Sequence, residues 1–277
     1  MRILILGSSG LLGHKLFNTI FESSGLEVYG TIRNDNLRSF FNAKCQSYLL
    51  TESDLLSVSN ITILLKKIKP DVVINCISVR NWKSANLNDL IATLSFFPRQ
   101  LSMLSELFNF KLIHIGSDGV FSGARGSYME SDIPDPSDDY GLAKFLGENI
   151  SSNGLVLRTS IIGPELTYKQ SFFEWFLTQD KCIGYTDYIF SALPTSFLSR
   201  ALLDIILLNK ELRGIYHIGS EPISKFDLMV LIAGRFKKQV NIVADNSVKI
   251  NRSLNCSKLI KDTNFHSPKW VDLINEL

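Results

Sequence analysis

The stretch MRILILGSSGLLGHKLF (1–17) decides how the rest of the chain is read. An aliphatic run from Ile3 to Leu6 stops at Gly7, and Gly10 and Gly13 follow at intervals of three. A short unbroken apolar run of this kind reads as a buried strand, and residues 10–22 carry helical spacing. Three glycines between a strand and a helix have three separate uses. One lets the chain turn tightly, one lets the backbone approach a pyrophosphate, and one lets the helix pack close to the sheet. The helix N-terminus then presents free N–H groups and the positive end of its dipole to the phosphates. The triplet is weak alone and gains weight from its place between strand and helix. On this reading Gly7, Ser9, Gly10, Leu11 and Leu12 form a dinucleotide loop. A plain strand–helix turn is the alternative.

Outward from this turn, short apolar runs alternate with amphipathic ones. EVYGTIR (27–33), QSYLLT (46–51), DVVINC (71–76), KLIHIGS (111–117) and GLVLRTS (154–160) read as strands. SNITILLKKIK (59–69) puts Ile61, Leu64, Leu65 and Ile68 on one helix face. Residues 88–108 read as a long helix that Pro98 should kink or split, and 139–151 as another helix. This alternation predicts an α/β fold: a doubly wound parallel sheet of the Rossmann type over 1–160. Beyond it, 170–179 and 197–209 look helical and GIYHIG (214–219) is a short strand. Ser224 is placed to cap a helix at 225–236. The stretch 237–277 is polar and irregular. Residues 161–277 are expected to form a smaller, mainly substrate-binding C-terminal domain, with 195–220 returning to the first domain.

Composition excludes several classes of function. A net charge of +2 over 277 residues gives no polyanion-binding surface, so no nucleic-acid partner is expected. The cysteines (45, 76, 182 and 256) and histidines (14, 114, 217 and 266) show no metal-ligand spacing, so no metal site is expected. The N-terminal apolar run is too short for a secretory h-region. No stretch reaches the roughly 18 apolar residues of a membrane span. A cytoplasmic protein with no membrane partner is the expectation.

The second predicted strand ends Thr31-Ile32-Arg33. An acidic residue there would hold the 2′-hydroxyl of NADH, whereas a guanidinium can fork onto a 2′-phosphate. Arg33 therefore favours NADPH over NADH, although nearby Asp35 leaves a solvated surface arginine as the alternative. Asp54 and Leu55, after the third strand, are placed for the adenine. Cys76, Ile77 and Ser78, ending the fourth, are placed along the dinucleotide crevice. Far downstream, YGLAK (140–144) sets Tyr140 and Lys144 at i and i+4, on one helix face. An ammonium beside a phenol lowers its pKa, and such a pair can protonate a carbonyl oxygen as hydride reaches the carbon. Ser117 falls just past a strand, at the carboxyl edge where ligands bind in such sheets. A surface pair and a turn serine are the plain alternatives.

Together GSSGLLG (7–13), Ser117 and YGLAK (140–144) resemble the extended short-chain dehydrogenase/reductases. More narrowly, GSDGVFSG (116–123) and YMESDIPDPSDDYGLAKFLGE (128–148) are similar to the block shared by dTDP-4-dehydrorhamnose reductases. PDVVINC (70–76), VLRTSIIG (156–163) and HIGSEPISKFDL (217–228) fit the same group. The resemblance implies reduction, dependent on NAD(P)H, of the 4-keto group of a nucleotide-activated 6-deoxysugar, for surface polysaccharide precursors. It implies Tyr140 as general acid, Lys144 on the nicotinamide ribose, and Ser117 where the group has Thr or Ser. It also sets Arg252, in INRSLNCSKL (250–259), beside the sugar nucleotide's diphosphate; a solvated loop arginine is the alternative. The partners expected are a nucleotide sugar and, as an allowed assembly, a second copy in a homodimer. Gly119 replaces the aromatic expected after Ser-Asp, and Ile161 stands where many rhamnose-forming members carry Trp. Sister 4-ketoreductases therefore stay open. So do a sugar-nucleotide epimerase or dehydratase and a non-catalytic NADP-binding regulatory subunit on the same scaffold.

Overall fold

The computed structural model describes every residue except Ser24. The first part of the chain runs β1 (Arg2–Leu6), α1 (Gly13–Phe21), β2 (Glu27–Ile32), β3 (Leu49–Thr51), α2 (Val58–Ile68), β4 (Val72–Asn75), α3 (Leu87–Ile91), α4 (Phe97–Phe108), β5 (Lys111–Ile115), α5 (Asp139–Gly147) and β6 (Leu155–Arg158). It continues through β7 (Ser160–Ile162), α6 (Phe172–Thr178), β8 (Lys181–Tyr185), β9 (Tyr188–Phe190), β10 (Ala192–Pro194), α7 (Thr195–Leu208) and β11 (Gly214–His217). It ends with β12 (Ile223–Ser224), α8 (Lys225–Arg235), β13 (Asn241–Asp245), β14 (Ile250–Asn251), α9 (Ser257–Thr263) and α10 (Trp270–Leu273).

Seven strands form the main sheet in the order β11-β6-β5-β4-β1-β2-β3. Every neighbouring pair in it is parallel. The period of two along β1 feeds a core on each face. Ile3 and Ile5 pack with Leu16, Phe17 and Ile20 of α1 and Leu198 and Leu202 of α7. Leu4 and Leu6 pack with Ile61 and Leu65 of α2 and Phe97 and Leu101 of α4. Both faces are buried, which is why β1 reads as an unbroken apolar run. The strand order reverses at β1, with β2 on one side and β4 on the other. This opens a crevice at their carboxyl ends.

The remaining strands make three small sheets: β10 with β7, β13 with β8, and β9 between β12 and β14. Among the described residues, no helix is long and apolar enough to cross a membrane.

Three local expectations change. The first helix begins at Gly13 rather than residue 10, because residues 7–12 are spent on the turn. Strand β3 begins at Leu49, since 43–48 wind into a tight helical turn. The long helix is divided just ahead of Pro98 rather than at it. Ala92–Phe96 form a wider π-type turn, and Pro98 falls in the first turn of α4, where its missing N–H costs little. The irregular stretch 237–277 holds two short strands and two short helices.

The π turn lies against α5. Ser95 Oγ donates to the Ala143 carbonyl at 2.7 Å. A Cβ on Gly147 would fall inside the Leu94 carbonyl oxygen, a backbone atom that cannot swing aside. Gly147→Ala is expected to cost about 2–3 kcal/mol, as overpacking does. Urea unfolding monitored by circular dichroism checks this; an unchanged midpoint would refute the close approach.

Candidate active site

A cleft of about 960 Å³ opens at the switch point of the sheet. Its floor is the glycine turn. Gly7 has φ +83°, a conformation open to glycine. Its N–H donates to Thr31 Oγ1 at 2.9 Å, and the Ser8 N–H donates to the Thr31 carbonyl at 2.9 Å. Gly13 touches the Gly7 carbonyl so closely that a Cβ would overlap it. Gly30 in β2 is needed too, because a Cβ there would strike the Ser8 side chain and the Phe17 ring. Gly10 differs: its Cβ position meets only the Gly7 carbonyl at 3.2 Å and the Cys76 carbonyl at 4.0 Å. No side chain caps α1 and no acidic residue sits in its first turn. The turn therefore offers backbone N–H groups and an open face to an anion, which fits a dinucleotide pyrophosphate.

Gly7, Ser9, Gly10, Leu11, Leu12, Arg33, Asp54, Leu55, Cys76, Ile77 and Ser78 all line this cleft. Asp35, the acidic group near Arg33, is taken by Arg38 at 2.9 Å and by Thr51 Oγ1 at 3.0 Å. Among the described residues Arg33 joins no ion pair. Burial pushes the Cys76 thiol up to about 12, so it is neutral. Asn75 Oδ1 accepts the Ile77 N–H at 3.1 Å and fixes the loop after β4. The Asn75 amide lies 3.2 Å from His114 Nδ1, and burial holds that imidazole well below its usual pKa.

Ser117, Tyr140 and Lys144 line the same cleft. Asp138 accepts the Gly141 N–H at 2.7 Å and so starts α5. Gly141 lies directly on the Gly119 carbonyl, with no room for a Cβ, which brings the Ser117 loop against the first turn of α5. Ser117 Oγ accepts the Gly119 N–H at 3.0 Å. The Tyr140 ring packs on Trp82, with centroids 5.1 Å apart. Lys144 is buried, and its Nζ donates to the Ile115 carbonyl at 2.6 Å.

The electrostatics correct one expectation. The Tyr140 phenol is raised above its ordinary pKa, chiefly by burial, with the Ser117 and Ser78 hydroxyls pulling the other way. The proximity of an ammonium does not prevail, and Lys144 spends a hydrogen bond on the Ile115 carbonyl. Burial also lowers Lys144 to about 8, opposed by the charge on Glu148.

Arg252 is not among the residues lining the cleft. Its Nη2 donates to Ser137 Oγ at 3.0 Å and lies 3.7 Å from Asp138, while its Nε is buried without a partner. It acts on Asp118, whose carboxyl burial pushes up to about 6. Trp82, Asn75, His114, Asp118 and Thr31 escaped sequence reasoning. Asp118 lies next to Ser117, Asn75 within PDVVINC (70–76), His114 within KLIHIGS (111–117) and Thr31 two residues before Arg33, but spacing gives none of them a role.

Three comparisons bear on this geometry. The chain is 28% identical over 169 residues to the "Probable low-salt glycan biosynthesis reductase Agl14" of Haloferax volcanii, a match covering 58% of this chain and about half (54%) of that protein. It is 25% identical to methionine adenosyltransferase 2 subunit beta of Rattus norvegicus, over 93% of this chain and 81% of that one. The crystal structure of a dTDP-4-dehydrorhamnose reductase from Bacillus anthracis in complex with NADP superposes with a TM-score of 0.82 at 21% identity, covering 99% of this chain and 97% of that one. At that identity the likeness is one of fold. The family model described as RmlD substrate binding domain matches residues 1–277. With its switch-point cleft, glycine turn and Tyr-Lys helix in one continuous match, the chain belongs to the RmlD substrate binding domain family.

Proposed function

We propose that this protein is an oxidoreductase that uses NADPH to reduce the 4-keto group of a nucleotide-activated 6-deoxysugar, in the supply of surface polysaccharide precursors. One observation carries the reading: Tyr140, Lys144 and Ser117 line the same cleft as the glycine turn. Solved neighbours in complex with NADP or with NAD support a nicotinamide cofactor, and the choice of NADPH rests on Arg33. In this reading residues 1–160 are the dinucleotide-binding domain and 161–277 mainly the substrate-binding domain, with 195–220 serving the former.

Ser9, Leu11 and Leu12 hold the pyrophosphate on backbone N–H groups, while Gly7 and Gly10, whose own N–H groups are taken by Thr31 Oγ1 and the Gly7 carbonyl, shape the turn around it. Arg33, free of Asp35, takes the 2′-phosphate. Asp54, Leu55, Cys76, Ile77 and Ser78 flank the dinucleotide. NADPH, when bound, supplies a hydride to the carbonyl carbon. Tyr140 gives its phenolic proton to the carbonyl oxygen, and Ser117 Oγ polarises the same oxygen. The raised phenol pKa suits this direction, because it keeps the proton on Tyr140 at neutral pH. Lys144 holds the nicotinamide ribose and steadies the phenolate left after transfer. Arg252 serves the substrate's diphosphate from outside the dinucleotide cleft.

The similarity to a methionine adenosyltransferase subunit favours a second reading, a non-catalytic NADP-binding regulatory subunit. Net consumption of NADPH with a ketosugar separates the two. An epimerase would leave cofactor unconsumed. A dehydratase of this scaffold usually carries Asp-Glu after the Ser/Thr, and here Gly119 follows Asp118.

Tyr140→Phe is expected to lower kcat by about 10²–10⁴-fold, the usual worth of a general acid, with the Kd for NADPH within a few-fold. Full turnover in that variant would remove Tyr140 as proton donor. Arg33→Ala should weaken NADPH about tenfold and leave NADH nearly unchanged, the loss expected of a charge-assisted hydrogen bond. Fluorescence titration reads both constants, and equal weakening of the two cofactors would return Arg33 to the solvated surface.

A further inference from the structure

We infer that Glu148, locked in place by Arg158, is a positioning residue that acts through Lys144, setting a carboxylate one helical turn from the buried ammonium. The inference rests on the reductase reading for its consequence in turnover, and on geometry alone for its effect on Lys144.

Glu148 follows Lys144 by four residues, where one turn of helix brings the two side chains to the same face. Both are buried, at 6% and 3% exposure. The Glu148 carboxylate takes Arg158 Nε on both oxygens, at 3.0 and 3.1 Å, and Arg158 Nη2 at 2.7 Å. Arg158 is itself fixed. Its Nη1 lies 3.3 Å from His217 Nε2, and its guanidinium sits over the Phe121 ring at 5.1 Å. His217 Nδ1 in turn meets the Tyr128 carbonyl at 3.0 Å. Burial and the adjacent guanidinium hold His217 down near 4, so it enters this chain neutral. The ion pair also packs under Gly116, whose Cβ position is 3.2 Å from Glu148 Oε1 and 3.2 Å from Arg158 Cγ. Gly116 immediately precedes Ser117. One ion pair thus contacts the strand end that carries Ser117 and the helix that carries Tyr140 and Lys144.

The groups facing Lys144 from other elements carry no opposing charge. From the loop just after β4 it meets the Cys76 thiol, neutral with its pKa pushed up to about 12. From β5 it meets His114, neutral for the same reason of burial, and the Ile115 carbonyl. On its own helix Tyr140 is a neutral phenol. The Glu148 carboxylate, paired with Arg158, opposes the desolvation of Lys144. Burial pushes the Glu148 carboxyl above the usual carboxylate range, and the Arg158 hydrogen bonds and charge pull it back toward the ionised form. Stability is a poor explanation for such an arrangement, because a buried ion pair is often matched by apolar residues of similar volume. Its use lies in the charge it places beside Lys144.

The test is a pH titration of Lys144 by NMR in the cofactor-free protein with isotope-labelled lysines, the signal being assigned by its loss in Lys144→Met. Glu148→Gln is expected to lower the Lys144 pKa by about one unit, the size of shift a nearby opposite charge produces. Glu148→Asp should restore most of it. In turnover, Lys144 must be cationic, so activity falls as pH rises through its pKa. The alkaline limb of kcat/KM, which reports the free enzyme, should therefore move to lower pH by the same amount in Glu148→Gln. Should the orphaned guanidinium prevent folding, the double variant Glu148→Gln, Arg158→Met removes it and carries the same expectation. A Lys144 titration unmoved in these variants overturns the inference and leaves the pair a purely structural one. Turnover that survives Lys144→Met would sink the reductase reading instead.

Discussion

Three helix glycines lie flat against three backbone carbonyls, and the rest of the structure depends on these approaches. Gly13 rests on the Gly7 carbonyl, Gly141 on the Gly119 carbonyl and Gly147 on the Leu94 carbonyl. Each leaves no space for a Cβ. The first seats α1 on the turn that opens the cleft. The second presses the Ser117 loop onto the start of α5. The third fixes the far end of α5 against the π turn that precedes α4. Lys144 lies between the last two and Tyr140 immediately precedes Gly141, so the helix that carries them is clamped at both ends by backbone rather than by mobile side chains.

Burial then sets the electrostatics. It raises Tyr140 and Asp118 and lowers Lys144, which disfavours the charged form at each. Opposing contacts decide how far each shift goes. Two hydroxyls moderate Tyr140, Arg252 moderates Asp118, and Glu148 moderates Lys144. The resulting cleft holds a protonated phenol beside a lysine that titrates near 8, a combination suited to giving a proton rather than taking one. The buried network behind it, from Glu148 through Arg158 and His217 to Tyr128, joins α5 to β6, β11 and the loop that meets Ser253. The cleft and the C-terminal segment are therefore mechanically connected.

The legibility of the sequence followed burial. Strand β1 is buried on both faces and read as an apolar run, and the glycine turn and the Tyr-Lys spacing are local patterns that survive without coordinates. β13 pairs with β8 in a two-stranded sheet, and the side chains of β13 itself are half-exposed or exposed, so no period of two stands out in NIVAD. Pro98 reads as a break when its place in the turn is unknown, and the π turn absorbs it. Asp35 left the direction of Arg33 open until Arg38 and Thr51 were seen to occupy it.

The sequence by itself determined the order of strands and helices over residues 1–160, the three glycines of the first turn, and the pairing of Tyr140 with Lys144 on one face. Each depends on neighbours within a few residues, where spacing alone dictates geometry. Only the tertiary structure decided which way the phenol's pKa moves, that Gly30 makes room for Ser8, that Arg252 stands outside the dinucleotide cleft, and that Glu148 meets Arg158. Those depend on which atoms from distant segments share a desolvated volume, and no local spacing carries that information.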